Sequence, residues 1–197
     1  MRRVLTIIIL SLLLISCSSE QKETPVPEST EKNLFEELRD QTTKNPKDAE
    51  AWYHLADLYE RSEMYREEVD TLGKVLAIDP GKTYAYVKLG SAYNRLGQYE
   101  DAIKSFKTAI RYFPQNPVLY NNLAVSYGKI NKADDEIAML KKAISLRPQY
   151  ATARYNLGIA LLKRGDREGA LKQYVEINKF DGGVAAALKK EIDARRK

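Results

Sequence analysis

Cysteine and histidine, the residue types that bind zinc and serve in nucleophilic catalysis, are scarce in this chain. The chain has one cysteine, Cys17, and one histidine, His54, among 197 residues. Structural zinc sites need several Cys or His ligands and a nucleophile needs a basic partner, so these two residues supply neither. The run from Asp181 to Gly183 is too short for a phosphate-binding loop and is more typical of a helix terminator. The sequence therefore predicts a protein that is not an enzyme and that binds no cofactor.

One acidic run, Asp134-Asp135-Glu136, could suggest cation binding. It lies in the first turn of a predicted helix, where carboxylates interact favourably with the helix dipole. We therefore predict a structural role for these carboxylates and no metal site.

The chemistry of Cys17 depends on the segment before it. Arg2 and Arg3 give a positive start, and Val4 to Ile15 form a short apolar run. About 20 apolar residues are needed to span a bilayer, so this segment is typical of a secretory signal instead. Leu14 to Cys17 resemble the bacterial lipobox, in which the cysteine sulfur receives a diacylglycerol before the signal is removed. The alternative is a buried cysteine in an ordinary membrane anchor.

The lipobox resemblance implies a signal peptide at residues 1–16 and a lipid anchor on Cys17, the first residue of the mature protein. Residues 17–30 are polar and lack any aromatic side chain, which predicts a disordered tether. The expected location is the bacterial cell envelope, with the protein lipid-anchored and facing the periplasm or another extracytoplasmic side. Ser18, where an aspartate would favour retention, favours the outer membrane if the organism follows the enterobacterial sorting rule.

Beyond the tether the sequence repeats with a period of 34 residues. The residues that keep this interval are Pro46, Pro80, Pro114 and Pro148, then Leu55, Leu89, Leu123 and Leu157, then the small residues Ala56, Gly90, Ala124 and Gly158. Apolar residues within each unit fall at helical spacing, and each proline can end a helix before the next unit begins. The pattern resembles the tetratricopeptide repeat (TPR) family. This resemblance implies an all-α, right-handed solenoid of antiparallel helix pairs, in which each pair needs its neighbours to bury its apolar surface.

The period predicts four repeats flanked by single helices. The repeats are expected at residues 49–82, 83–116, 117–150 and 151–184, after an N-terminal half-repeat helix at 31–48. A C-terminal capping helix is expected at 185–197, because Val184, Leu188 and Ile192 form an apolar stripe at helical spacing.

Two acidic residues interrupt the repeat pattern. Glu68 and Glu136 lie where the other two repeats have Ala102 and Ala170. A buried carboxylate without a partner is very costly, so we expect each side chain to reach water or to find a cation.

TPR solenoids usually bind ligands through the face formed by the first helix of each pair, and the resemblance predicts a peptide-binding groove there. The predicted groove residues are Asn121, Asn122, Val125, Lys129, Tyr155, Asn156, Ile159, Leu162 and Lys163, with Arg95 from the second repeat. An apolar floor, amides that can bind a peptide backbone and a cationic edge suit a peptide with acidic side chains. Two alternatives remain open: the asparagines satisfy local helix contacts, and the basic residues complement helix dipoles.

Charge is distributed unevenly along the chain. Residues 18–116 hold 14 basic and 18 acidic side chains, whereas residues 117–197 hold 16 basic and 9 acidic side chains. The overall balance is too mild to indicate nucleic acid as a partner, and the basic end lies far from the predicted anchor.

These observations predict a membrane-anchored TPR lipoprotein that acts as an adaptor or scaffold for a protein or peptide partner. Related small lipoproteins suggest roles in the assembly of pilus or secretin, outer-membrane or cell-wall machinery. The alternatives are a permanent structural subunit of an envelope complex and a regulator of a cell-wall enzyme. A further alternative is a binder of anionic polymers or lipid headgroups through the basic end, in which case salt would abolish binding.

Overall fold

The computed structural model describes residues 28–195, which form ten helices and no strand. The helices are α1 (Glu28–Lys44), α2 (Ala49–Arg61), α3 (Tyr65–Ile78), α4 (Thr83–Arg95), α5 (Tyr99–Tyr112), α6 (Pro117–Lys129), α7 (Ala133–Leu146), α8 (Ala151–Lys163), α9 (Arg167–Asn178) and α10 (Gly182–Ala194). This architecture confirms the all-α prediction. The predicted signal peptide, Cys17 and most of the predicted tether lie outside the described residues. Within residues 28–195, no helix combines the length and the apolar character needed to cross a membrane.

Each predicted repeat contains one helix pair, and the local signals at the helix ends explain the boundaries. Three of the periodic prolines, Pro80, Pro114 and Pro148, lie in the connections between one pair and the next, and Pro46 lies between α1 and the first pair. Asp48 accepts hydrogen bonds from the backbone amides of Glu50 and Ala51, both at 3.0 Å, and thereby caps α2. Asn116 caps α6 in the same way, by accepting from the amide of Val118 at 3.0 Å.

The fourth residue of a first helix ties that helix to the preceding connection. Trp52 donates to the carbonyl oxygen of Pro46 at 3.1 Å, and Tyr120 donates to that of Pro114 at 2.9 Å. Arg154 replaces the aromatic residue in the fourth repeat and donates to the carbonyl oxygen of Pro148 at 2.7 Å. Although Arg154 departs from the family pattern, it therefore makes a hydrogen bond equivalent to those of Trp52 and Tyr120.

Small residues allow helices to approach closely. A Cβ atom on Gly90 would lie 2.8 Å from the Phe106 ring of α5, and a Cβ atom on Gly158 would lie 2.7 Å from Leu188 of α10. Ala56 and Ala124 occupy the equivalent positions and have no exposed surface. Close packing at this position is therefore repeated along the solenoid.

The two ends of the solenoid differ from the predicted boundaries. Helix α1 begins at Glu28, inside the segment predicted as tether (17–30), and its Leu38 packs against Leu55 and Leu58 of the first repeat. Since α1 supplies this apolar cover, its residues are part of the folded domain.

The predicted cap at 185–197 begins earlier than expected, as α10 at Gly182. The run from Asp181 to Gly183, expected to end a helix, starts one, because the Asp181 side chain accepts a hydrogen bond from the amide of Val184 at 3.0 Å. Leu188 and Ile192 are fully buried against α8 and α9, as the predicted apolar stripe requires.

Candidate functional site

Two cavities lie between the first helices of neighbouring repeats and the second helix that separates them. The repeat 3–4 pocket has a volume of about 180 Å³ and is lined by Val125, Gly128, Lys129, Glu136, Leu140, Asn156, Ile159 and Lys163. The repeat 1–2 pocket has a volume of about 470 Å³ and is lined by Glu60, Arg61, Glu63, Tyr65, Glu68, Ser91, Ala92 and Arg95.

The two pockets are equivalent sites in the repeat. Five lining positions correspond across two periods of 34 residues: Glu60 and Gly128, Arg61 and Lys129, Glu68 and Glu136, Ser91 and Ile159, Arg95 and Lys163. The solenoid therefore builds the same site twice and fills it with different side chains.

The repeat 3–4 pocket brings together half of the predicted groove residues. Val125 and Ile159 form its apolar surface, Lys129 and Lys163 its cationic edge, and Asn156 contributes an amide. The two lysines are exposed, whereas Val125 and Ile159 are half-buried. Amide, apolar and cationic groups are thus close enough to contact one ligand segment.

Glu136 lines this pocket and lies near a cation, Lys163, as predicted from the sequence. Its Oε1 atom is 4.0 Å from Nζ of Lys163. Burial raises the pKa of the Glu136 carboxyl, and the positive charge of Lys163 partly opposes that rise. The carboxylate occupies the space beside Gly128, where a Cβ atom would lie 2.6 Å from it.

The asparagines form a chain of amides along the first helices. Asn156 donates to the Oδ1 atom of Asn121 at 2.9 Å, and Asn121 donates to Oδ1 of Asn122 at 3.4 Å. Asn121 is only 5% exposed, so its predicted place in the groove is corrected: it supports Asn156 from behind.

Three other predicted groove residues also have different surroundings from those expected. Leu162 belongs to the buried cluster with Ile177 and Leu188, because the face of α8 that carries it is covered by α10. Tyr155 packs against the same cluster, and Arg95 lines the repeat 1–2 pocket. Leu162 is therefore a core residue, which corrects the prediction that it forms the groove floor.

The repeat 1–2 pocket adjoins a network of charges that the sequence analysis did not predict. Nζ of Lys88 lies 2.7 Å from Oδ1 of Asp57 and also pairs with Glu60. Burial acts to lower the pKa of the Lys88 ammonium, but hydrogen bonds and charges from the two carboxylates outweigh it and hold the pKa above its ordinary value. The signal was available in the sequence, since Lys88 replaces the asparagine found at this position in repeats three and four.

Glu68 contradicts the expectation that it would reach water or a cation. Its side chain is 1% exposed, and neither carboxylate oxygen has a hydrogen-bond partner among residues 28–195. Burial, with a smaller contribution from the negative charge of Glu60, raises the pKa of the Glu68 carboxyl to about 7, and the positive charge of Lys88 partly opposes that rise. Arg95, the counterpart of Lys163, instead lies over the Tyr65 ring, 5.9 Å from its centroid.

Comparisons with known proteins support the repeat assignment. Tetratricopeptide repeat models match residues 49–82, 90–131 and 121–177. No curated protein matches the sequence.

Within residues 28–195, no three His, Cys, Asp or Glu side chains are grouped so that they could hold a metal ion.

Several solved structures share the fold at low sequence identity. MamA (residues 41 to the end) from Desulfovibrio magneticus RS-1 is 18% identical, with a TM-score of 0.74 over 77% of this chain and 86% of that chain. YrrB, described as a TPR protein with an unusual peptide-binding site, is 22% identical, with a TM-score of 0.63 over 81% of this chain and 85% of that chain. A thermophilic TPR protein from Thermus thermophilus, TTC0263, is 21% identical, with a TM-score of 0.62 over 85% of this chain and 91% of that chain. The chain thus carries tetratricopeptide repeats and folds as an all-α TPR solenoid.

Proposed function

We propose that this chain is a lipid-anchored adaptor of the bacterial cell envelope that binds a peptide segment of a partner protein in the repeat 3–4 pocket. The observation that carries the proposal is the convergence of five predicted groove residues on one cavity. Their types supply the three interactions that a bound peptide needs: apolar contact, backbone hydrogen bonds and charge complementarity.

The pocket suits an extended or helical segment with acidic side chains. Val125 and Ile159 offer apolar surface, and the Asn156 amide, oriented by Asn121, faces the same cavity. Lys129 and Lys163 extend into solvent, where they attract acidic groups during the approach of the partner. The partner segment is therefore expected to carry at least one Asp or Glu beside an apolar residue.

The anchor and the location complete the proposal. The signal-like segment and the lipobox resemblance at Cys17 favour export and lipid attachment, with the outer membrane favoured by Ser18. The adaptor would serve the assembly of envelope machinery, such as pilus or secretin, outer-membrane or cell-wall complexes. Replacing Cys17 with Ser is expected to abolish incorporation of labelled lipid. Unchanged labelling of that variant would refute the anchor.

The binding site is tested with a partner captured from the native envelope by the acylated protein. The double variant Lys129→Gln with Lys163→Gln removes the cationic edge and should lower the association rate roughly tenfold at low salt, with a weaker salt dependence. Surface plasmon resonance at several salt concentrations measures both quantities.

A matched control makes the same change in net charge at two lysines outside the pocket. Lys141 and Lys190 are exposed and form no ion pair with another described residue, so Lys141→Gln with Lys190→Gln should bind as the wild type does. If both double variants lower the association rate equally, general charge attraction explains binding, and the repeat 3–4 pocket is not the site.

A further inference from the structure

The repeat 1–2 pocket contains a carboxylate that the described fold leaves without a partner. Glu68 is 1% exposed, and both of its carboxylate oxygens are buried and lack a hydrogen-bond partner among residues 28–195. The same side chain lines a cavity of about 470 Å³. An unpaired buried carboxylate destabilises a fold, so a group that satisfies it gains binding free energy. Because both oxygens are buried, a ligand in the cavity reaches them only when the Glu68 side chain turns towards the cavity.

The charged groups around Glu68 come from all the elements that form the pocket. Asp57 and Glu60 on α2 are engaged by Lys88 of α4, which lies 2.7 Å from the Asp57 carboxylate. The remaining charged lining residues are Arg61, Glu63 and Arg95, which are exposed at the rim, and Arg95 lies over the Tyr65 ring. Neither arginine comes within 4.0 Å of the Glu68 carboxylate. The positive charge of Lys88 acts to lower the pKa of that carboxyl, but the ion pairs of Lys88 are with Asp57 and Glu60, so no cation pairs directly with Glu68.

These surroundings select the charge of the guest. An anion could pair with Arg61 or Arg95 at the exposed rim, but beside Glu68 it would be repelled by that carboxylate. A neutral group would leave the carboxylate uncompensated. No metal-binding group is formed by the described residues. A single organic cation on a narrow stem satisfies Glu68 and still leaves the pair formed by Lys88 with Asp57 intact.

We propose that the repeat 1–2 pocket receives one lysine or arginine side chain of the partner polypeptide and pairs its cationic group with Glu68. This step rests on the proposed function, because the same partner segment would continue into the repeat 3–4 pocket. When the cation enters, the Glu68 carboxyl gives up its proton to solvent and remains as the carboxylate of the ion pair. An arginine guanidinium can hydrogen-bond both carboxylate oxygens at once, which favours arginine over lysine.

The distance between the pockets sets the spacing of the recognised residues. The two pockets are separated by two repeats, and packed helices lie about 10 Å apart, so the separation along the first helices is roughly 20 Å. An extended chain covers that distance in about six residues. The partner segment would therefore carry a basic residue about six positions from its acidic and apolar residues.

The experiment uses the full mature chain in detergent and two synthetic peptides. One peptide is acetyl-Ala-Ala-Arg-Ala-Ala-amide, and the other has citrulline, a neutral isostere, in place of arginine. We expect the arginine peptide to shift the Glu68 carboxyl ¹³C resonance towards the ionised form and the citrulline peptide to leave it unchanged. Equal responses to both peptides, or no response at saturating peptide, would overturn the proposal.

Two variants separate this site from surface attraction. Glu68→Gln should weaken binding of the arginine peptide at least tenfold, with circular dichroism confirming that it folds. Glu67→Gln removes the same charge from the neighbouring exposed position and should leave binding unchanged. Wild-type binding by Glu68→Gln would also overturn the proposal.

The outcomes distinguish this inference from the proposed function. If the arginine peptide fails while Lys129→Gln with Lys163→Gln still slows partner association, only the inference about Glu68 fails. If the arginine peptide binds through Glu68 but the lysine variants have no effect on the partner, the repeat 3–4 assignment fails.

Discussion

The repeat 1–2 and repeat 3–4 pockets occupy equivalent positions, two repeats apart, and differ at a few side chains. Where the repeat 3–4 site has Val125, Gly128 and Asn156, the repeat 1–2 site has Asp57, Glu60 and Lys88. An apolar side chain, a glycine and an amide are thus replaced by a network of three charged side chains.

The comparison shows why two equivalent glutamates have different environments. Gly128 leaves space into which the Glu136 carboxylate extends, within 4.0 Å of Lys163. The counterpart of Gly128 is Glu60, whose side chain pairs with Lys88. Glu68 stays buried without a hydrogen-bond partner among residues 28–195, because Lys88 is engaged by Asp57 and Glu60.

An aromatic residue distinguishes the surroundings of the two equivalent cations. Arg95 lies over the ring of Tyr65, 5.9 Å from its centroid, whereas the equivalent position in repeat three is Ala133, and Lys163 lies within 4.0 Å of Glu136. We attribute the different position of Arg95 to this ring. Equivalent backbone positions can therefore carry exposed cations beside an apolar cavity or an internal charge network, depending on their neighbours.

The largest loss of stability is expected when Lys88 of the repeat 1–2 site is replaced by the asparagine found at the equivalent position, Asn156, of the repeat 3–4 site. Lys88→Asn removes the partner of Asp57 and Glu60 and leaves three carboxylates close together, so it should lower the free energy of unfolding by about 3 kcal/mol. Urea unfolding followed by circular dichroism measures this loss.

A control for Lys88→Asn is available in an exposed ion pair. Lys104→Asn breaks the pair with Asp101, whose atoms are 2.9 Å apart, and should leave unfolding nearly unchanged because both side chains are solvated. Equal losses for the two variants would show that the Lys88 network contributes nothing special.

The next effect concerns the pH dependence of stability. The pKa of Glu68 is about 7 in the folded state, above its ordinary 4.5, so the folded state binds the proton more tightly. Stability is therefore lost as pH rises from about 4.5 through 7, and Glu68→Gln removes this loss. Relative to the wild type, the variant should gain roughly 2 kcal/mol between pH 5 and pH 8. Parallel pH profiles of urea unfolding for the two proteins would contradict this assignment.

The smallest effect tests the role assigned to Tyr65. Tyr65→Ala releases Arg95, which can then approach Glu68 and should lower the pKa of that carboxyl by about one unit. A ¹³C NMR titration of the glutamate carboxyls measures the change. As a control, Tyr99→Ala alters the equivalent position in repeat two. The counterpart of Glu68 in that repeat is Ala102, so this variant should leave the titration of Glu68 unchanged. An unaltered Glu68 pKa in Tyr65→Ala would show that the ring does not restrain Arg95.

The sequence predicts the helices well where their signals are local. Periodic prolines, caps such as Asp48 and apolar residues at helical spacing act within a few positions, so four helix pairs could be placed before the structure was known. The start of α10 was misplaced because glycines are usually read as terminators, whereas the Asp181 side chain turned them into a helix start. Even this error arose from a local competition between two known signals.

The candidate site was predicted only in part, for a different reason. Position within the repeat identified Lys129, Asn156 and Lys163, because a fixed period assigns each residue a face. The prediction that Leu162 lines the groove was wrong, because α10 covers the side of α8 that carries this residue. A period cannot reveal which face a neighbouring element covers.

By itself, then, the sequence determined the repeat, the helix pairs and the positions where acidic residues depart from the pattern. Only the tertiary structure decided that Glu136 meets Lys163 while Glu68 remains without a partner among residues 28–195. Both residues have the same place in the repeat, and the outcome depends on contacts between helices, at Gly128 beside Glu136 and at Tyr65 beneath Arg95. Local propensities act along the chain, whereas the free energy of a buried charge depends on whichever groups the fold brings within a few ångströms of it.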